Sequence, residues 1–133
     1  MINLAGLKEI EMKFTLDKQA FFVVIELQDE RLMSTNAPKF KSELAILGAE
    51  GYRNMIIDLK NVQFVDSSGL SAILMANRMC NESKGTLALC HLGSQVQSLV
   101  KISQLEDILN IFSTLSEAAD FVKMEELERE IKG

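Results

Sequence analysis

The 133-residue chain has two cysteines, one histidine, one proline, a deficit of basic charge and no long apolar run. Each shortage excludes something. Cys80 and Cys90 are too few for a secreted disulfide scaffold, so reduced thiols and a cytoplasmic location are expected. The longest apolar stretch, Ala20 to Ile25, is far too short to span a bilayer. The segment Met1 to Glu9 has no basic start and no sustained apolar run, so no signal peptide is expected there. With His91 as the sole histidine, and no Gly-x-Ser-x-Gly motif, a serine hydrolase lacks its base and its nucleophile elbow. No glycine-rich phosphate loop or Walker lysine is present. Lys plus Arg number 14 against 19 Asp plus Glu, a net charge of −5. Nucleic-acid binding requires clustered basic charge, so that class of partner is excluded. An anionic membrane surface is excluded as the main partner on the same ground.

What remains is one ordinary globular domain. Apolar residues make up 47% and charged residues 25%, which is incompatible with a disordered chain. A chain of this size buries about two-thirds of its unfolded surface and needs neither metal nor disulfide to fold. The reading is a single domain over 1–133, with a core of about 10–122. Residues 123–133 form a charged helical extension, in which Glu125 to Lys132 reads as a solvated helix end.

The hydrophobic pattern gives the element order. Glu11 to Leu16 alternates and reads as a half-buried strand with Met12, Phe14 and Leu16 on one side. Asp17-Lys18-Gln19 can turn the chain into Ala20–Leu27, an apolar run suited to a strand buried on both faces. Ser34, Thr35 and Asn36 are all competent N-caps, and Pro38 falls in the first turn of the helix they open. Ala37, Phe40, Leu44 and Leu47 recur at helical spacing, and Gly48 or Gly51 can end that helix. Met55–Leu59 is a buried strand that continues raggedly through Val62 to Val65. A helix from about Ser68 to Lys84, with Gly85 as its stop, precedes the strand Thr86–His91. A short helix, Ser94–Ile102, turns Val96, Leu99 and Val100 inward. Ile108–Phe112 is a last strand, and Thr114 to Glu117 has capping-box spacing at the start of a final helix.

The order β-β-α-β-α-β-α-β-α predicts an α/β fold. It implies a mixed, mostly parallel sheet of about five strands, about four helices and an opening β-hairpin. Loops at the C-terminal ends of the parallel strands then share one rim, the usual binding edge of such sheets. Asp29–Ala37 and Asp66–Ser71 are expected to meet there, with Asn36 and Leu70 exposed on it.

One segment carries chemistry. Val65-Asp66-Ser67-Ser68-Gly69-Leu70 joins a buried strand to a helix, whose N-terminus presents unsatisfied N–H groups and a partial positive charge. A phosphate added to a serine there is stabilised by the helix end and changes the rim by about −1.5 to −2 charges. The plainer reading is a serine N-cap with Gly69 easing the turn.

Phe64-Val65-Asp66-Ser67-Ser68-Gly69-Leu70, between Met55–Leu59 and an apolar helix, resembles the signature of the STAS family. That family comprises the anti-sigma factor antagonists and the related domain of sulfate transporters. The element order agrees from about Lys13 to Val122. The segment Gly93 to Phe112, with Ser103-Gln104-Leu105-Glu106-Asp107 after its short helix, is also similar to the family. The resemblance implies a partner switch without catalysis. The unmodified antagonist binds an anti-sigma factor, commonly also a serine kinase. That kinase phosphorylates Ser67, the modified antagonist lets go, and a PP2C-type phosphatase resets it. Asn36, Asp66, Ser67, Ser68, Gly69, Leu70 and Ser71 are the partner-binding positions so implied. The family's antagonists usually carry an acid after the second strand near that serine. Here Met33 stands at that position, with Asp29 and Glu30 upstream, and Ser71 replaces a frequent Gly or Ala.

Two other classes stay open beside this one. The first is a non-switching STAS subunit of a larger assembly, transporter-associated or stressosome-like. The second is a nucleotide-binding or weakly hydrolytic protein, although no residue identifies a nucleotide site. A phosphoacceptor receiver, suggested by Asp29, Glu30 and Asp58, fails on topology: only one helix fits between Glu30 and Asp58. Cys90 beside His91 lacks further zinc ligands in the sequence, so buried thiols are the reading.

Overall fold

A computed structural model describes residues 12–133. Met1 to Glu9, where no signal peptide is expected, and Glu11, the first residue of the expected opening strand, lie outside the described residues. The elements are β1 (Phe14–Lys18), β2 (Val23–Leu27), β3 (Arg31–Leu32), α1 (Ala37–Ala49), β4 (Met55–Asp58) and β5 (Phe64–Val65). After them come α2 (Ser67–Glu82), β6 (Leu87–Cys90), α3 (Ser94–Ile102), β7 (Asn110–Phe112) and α4 (Leu115–Lys132).

The main sheet has the order β1-β2-β4-β6-β7. β1 is antiparallel to β2 and the other pairs are parallel, the mixed α/β sheet that the sequence predicts. Strand alternation splits the core into two layers. Val23, Ile25 and Leu27 of β2, Met55 and Ile57 of β4, and Leu87 and Leu89 of β6 pack with Phe40 and Leu44 of α1 and Ile73 of α2. The alternate residues Val24, Ile56, Ala88 and Cys90 meet Ala118 and Val122 of α4. Small Ala88 and Ala118 let α4 lie close on its side of the sheet.

Several boundaries differ from the sequence reading. The hairpin turns at residues 19–22, because Asp17 and Lys18 are still paired with Val24 and Val23. β1 is an edge strand of the main sheet, and Leu16 on it is 38% exposed instead of buried. The ragged continuation of β4 is a separate strand. The chain turns at Leu59–Val62, where the Val62 N–H donates to the Leu59 carbonyl at 2.9 Å. β5 then pairs in parallel with β3 as a second, two-stranded sheet. Gly51, at φ +100°, supplies the left-handed residue that ends α1. α2 stops at Glu82, where Lys84 at φ +59° reverses the chain and the Gly85 N–H donates back to the Cys80 carbonyl at 2.7 Å; glycine at 85 is also required by a close approach. A Cβ there would lie 1.8 Å from the Arg53 carbonyl oxygen.

Thr114 caps α4 by accepting the Glu117 N–H at 3.1 Å, and its hydroxyl donates to Glu117 Oε1 at 3.0 Å. The charge-rich end of α4 is not simply solvated. Glu126 is 4% exposed, because its side chain turns back onto the N-terminal ends of β4 and β6. There it accepts from Arg53, from Asn54 Nδ2 at 3.2 Å and from Arg129 Nη1 at 2.8 Å.

Candidate functional site

Asp66 has an extended backbone and is the N-cap of α2. Its Oδ1 accepts the Gly69 N–H at 2.9 Å and its Oδ2 accepts the Ser34 N–H at 3.0 Å. The serine-cap reading is therefore corrected: the acid before the serines caps the helix. Asp66 caps better because its two oxygens serve two donors, one on each rim segment. The capping role leaves both serine hydroxyls to other uses. Ser67 is exposed at the first helical position, and Ser68 is half-buried behind it.

Gly69 is buried, and its φ is not in the left-handed region. The turn-easing reading is replaced by close approach. A Cβ on Gly69 would sit 2.1 Å from the Leu32 carbonyl oxygen and 2.9 Å from Val65 Cγ1. Only glycine lets the first turn of α2 lie against β3.

Leu70 and Asn36 are each 7% exposed, which overturns their placement on the open rim. Leu70 belongs to the main core. Asn36 occupies the N-cap position of α1 without capping it. Its Oδ1 accepts the Met33 N–H at 2.9 Å and its Nδ2 donates to the Arg31 carbonyl at 2.7 Å. Both residues support the rim from beneath, so a large charged replacement acts on folding before it acts on any partner. Ser71 is exposed and accepts from Lys41 Nζ at 3.4 Å. A depression of about 260 Å3 lies between α1 and α2, lined by Ser34, Lys41, Ser67, Ser68 and Ser71. It offers hydroxyls and one ammonium group.

Met33 is half-buried. Asp29 Oδ2 is engaged by the Lys13 N–H at 3.3 Å and Asn36 Nδ2 at 3.4 Å, so Asp29 braces the loop. The carboxylate built into this corner is Asp66. Replacing it by alanine removes two N–H partners at once and is expected to cost about 1–2 kcal/mol. An unchanged urea midpoint for Asp66→Ala would show that water replaces the cap without loss.

Sequence reasoning missed Phe64 and Lys41. Phe64 is 45% exposed, three residues before Ser67, and the Arg31 guanidinium lies 5.8 Å from its ring centroid. Its strand is held from the side by Gln95, which accepts the Val65 N–H at 2.9 Å and donates to the Val65 carbonyl at 3.0 Å. The available signal was a large aromatic at the edge of a polar loop.

Farther along the same rim, Glu26, Asp58, Cys90 and Phe112 are register partners across four strands. Glu26 is held below the usual carboxylate range, chiefly by its hydrogen bond with Lys60, whose Nζ lies 2.8 Å away. Asp58 is 1% exposed, and its Oδ1 lies 3.0 Å from His91 Nδ1. Burial, assisted by the Asp58 charge, pushes the Cys90 thiol up to about 12. Burial also pushes the Cys80 thiol up to about 12.

A parallel-stranded sheet with an antiparallel edge hairpin, and an Asp-Ser-Ser-Gly turn at the C-terminal rim of its strands, define the class. The profile of the STAS domain matches residues 12–118. The chain belongs to the STAS domain family. It is 30% identical over 108 residues to BtrV of Bordetella bronchiseptica, a protein named for an anti-sigma factor antagonist role; the match covers 81% of this chain and 92% of that one. It is 32% identical over 76 residues to the anti-sigma-B factor antagonist of Bacillus subtilis, covering 57% of this chain and 69% of that one. Among solved structures, SpoIIAA in its unphosphorylated form superposes with a TM-score of 0.67 at 22% identity, covering 84% of this chain and 98% of that one. That likeness establishes the fold. Among the described residues, no helix is long and apolar enough to cross a membrane.

Proposed function

We propose that this chain is an anti-sigma factor antagonist of the cytoplasm, a binding module without catalysis of its own. It binds an anti-sigma factor while Ser67 carries its hydroxyl, and it is released when that partner, acting as a serine kinase, phosphorylates Ser67. A PP2C-type phosphatase restores the binding form. The observation that carries this reading is the placement of Ser67: an exposed hydroxyl at the first position of α2, relieved of capping by Asp66. A kinase can reach such a group without unfolding the domain. The names of the relatives from Bordetella bronchiseptica and Bacillus subtilis support the partner class.

The physical account is local. The rim around Ser67 offers hydroxyls, the exposed Phe64 ring and the Lys41 ammonium. A phosphate adds about −1.5 to −2 charges beside the Asp66 carboxylate. The N-terminus of α2 and Lys41 tolerate that charge within the folded chain. A partner surface fitted to a neutral hydroxyl does not, because it meets both new bulk and new charge.

Incubation with a serine-kinase anti-sigma factor and ATP is expected to add one phosphate, which mass spectrometry places on Ser67. Ser67→Ala should abolish the modification and keep binding, while Ser68→Ala remains modified. Ser67→Asp should weaken binding by about tenfold or more, short of the full effect because it brings one charge. Full modification of Ser67→Ala, or undiminished binding by Ser67→Asp, would sink the switch and leave the non-switching subunit as the better account.

A further inference from the structure

The sequence offers Cys90 and His91 as adjacent donors with no third; the fold supplies one. Asp58 closes β4 and Cys90 closes β6, and the two are direct partners in the parallel register, so their side chains leave the same face of the sheet. Residue 91 would ordinarily point to the opposite face. Instead His91 adopts φ +57°, a left-handed backbone rare for a residue with a β-carbon. The reversal brings its ring to the carboxylate, with Nδ1 3.0 Å from Asp58 Oδ1. One oxygen of Asp58, the sulfur of Cys90 and a ring nitrogen of His91 all lie within 4.8 Å of one another.

We propose that Asp58, Cys90 and His91 form a binding site for a borderline divalent metal ion of the zinc type. Tetrahedral bonds of about 2.0–2.3 Å separate ligand atoms by about 3.3–3.8 Å, which small side-chain rotations reach from the observed spacing. The donor set of one carboxylate oxygen, one sulfur and one imidazole nitrogen suits zinc and cobalt and disfavours magnesium and calcium, which take oxygen alone. Binding displaces the Cys90 thiol proton to solvent. The His91 ring ligates as neutral imidazole with its one proton on the other ring nitrogen; an imidazolium releases one proton to solvent on binding.

Two features favour entry. The His91 side chain is 33% exposed, and it lines a cleft of about 400 Å3 together with Gln97, Glu106, Phe112 and Ser113. That cleft gives the ion a path and leaves a fourth position to water or to a ligand held in the cleft. Glu26, the register partner of Asp58, holds the Lys60 ammonium at 2.8 Å and balances its charge beside the site. The three ligands are distinct from Ser67 and its neighbours, and occupation of the site requires neither partner nor phosphate.

The test is a cobalt titration of the full, untagged chain under a non-thiol reductant. One equivalent of Co2+ should produce a thiolate-to-cobalt charge-transfer band in the near ultraviolet, and one equivalent of Zn2+ should remove it. Cys90→Ser should lose the band and Cys80→Ser should retain it. His91→Gln, at a partly exposed position, should weaken Co2+ binding by at least about tenfold, the loss typical even of an outer-shell partner. Asp58→Asn should do the same; where that buried change prevents folding, His91→Gln carries the ligand test alone. Absence of the band at saturating Co2+, its persistence in Cys90→Ser, its loss in Cys80→Ser, or unweakened binding by His91→Gln overturns the assignment. None of these readouts involves the anti-sigma factor, so failure here leaves the Ser67 switch standing, and the reverse.

Discussion

Gly69→Ala is expected to destabilise the domain by about 3 kcal/mol or more, the upper range for overpacking a tight site. Helix propensity predicts the opposite sign. Alanine in place of glycine inside an exposed helix stabilises by about 1 kcal/mol. Sterics decide here, because the added Cβ would meet the Leu32 carbonyl oxygen at 2.1 Å. That oxygen belongs to backbone paired in the β3–β5 sheet, and it also accepts the Asp66 N–H at 3.3 Å. It cannot yield without disturbing both rim segments. Gly48→Ala is the matched control. Its Cβ would meet Met79 Sδ at 3.0 Å, the far part of a flexible side chain that can rotate aside. Urea denaturation should therefore separate the two: a large drop in midpoint for Gly69→Ala and a small change of either sign for Gly48→Ala. Equal midpoints for the two variants would refute the close-approach account. Total stabilities near 5–15 kcal/mol make a loss of this size visible in the soluble yield as well.

Glu126→Ala is expected to cost about 2–4 kcal/mol, although position 126 lies in a run that reads as solvated charge. The loss is not that of a surface ion pair. Glu126 is buried, and truncation takes an acceptor from Arg53, Asn54 and Arg129 together. Asn54 is itself 3% exposed and accepts the Thr86 N–H at 2.9 Å, so the disturbance reaches the start of β6. The outer half of the network is weaker: the Arg53 side chain is 48% exposed, which keeps the figure below that of a fully buried triad. Burial pushes the Glu126 carboxyl up, but the hydrogen bonds from Arg53, Asn54 and Arg129 outweigh it and hold the group below its ordinary 4.5. A carboxylate depressed in the folded state contributes stability that is complete above the unfolded value. That contribution is lost as the pH falls below 4.5 and through the lower folded value. The stability gap between the wild type and Glu126→Gln should then be wide at about pH 7 and narrow at about pH 3.5. A gap that stays constant between those two conditions would show that the carboxylate charge contributes nothing.

The parts of the molecule that repeat a period over several residues were legible in the sequence. The nearly continuous apolar runs showed the buried strands Val23–Leu27 and Met55–Asp58, which are parallel neighbours, whereas Ala20 and Phe21 at the head of the first run are exposed in the turn. The motif's place between a buried strand and an apolar helix was equally plain. What escaped was set by contacts across long separations or by elements too short to have a period. β3 and β5 are two residues each. Asp66, Ser67 and Ser68 are all good caps, and only the backbone turn after Val65 selects Asp66. Leu70 stands amid polar residues, yet its helical position aims it at the core. Asp58 and His91 are 33 residues apart, and their contact depends on the β4–β6 register.

The two rim segments are laced together by the β3–β5 backbone pairing and by Ser34 to Asp66, while Asn36 to Arg31 braces the first from within and Gln95 of α3 holds Val65 of the second. A surface ordered in this way has already lost its conformational entropy during folding. An incoming protein then has little loop ordering to offset, a term worth about 0.5–1.5 kcal/mol for each immobilised side chain at softer interfaces. The rim is preorganised. A single charge added to it is felt through electrostatics and shape at a fixed place, and the surrounding backbone has no slack with which to relax around it.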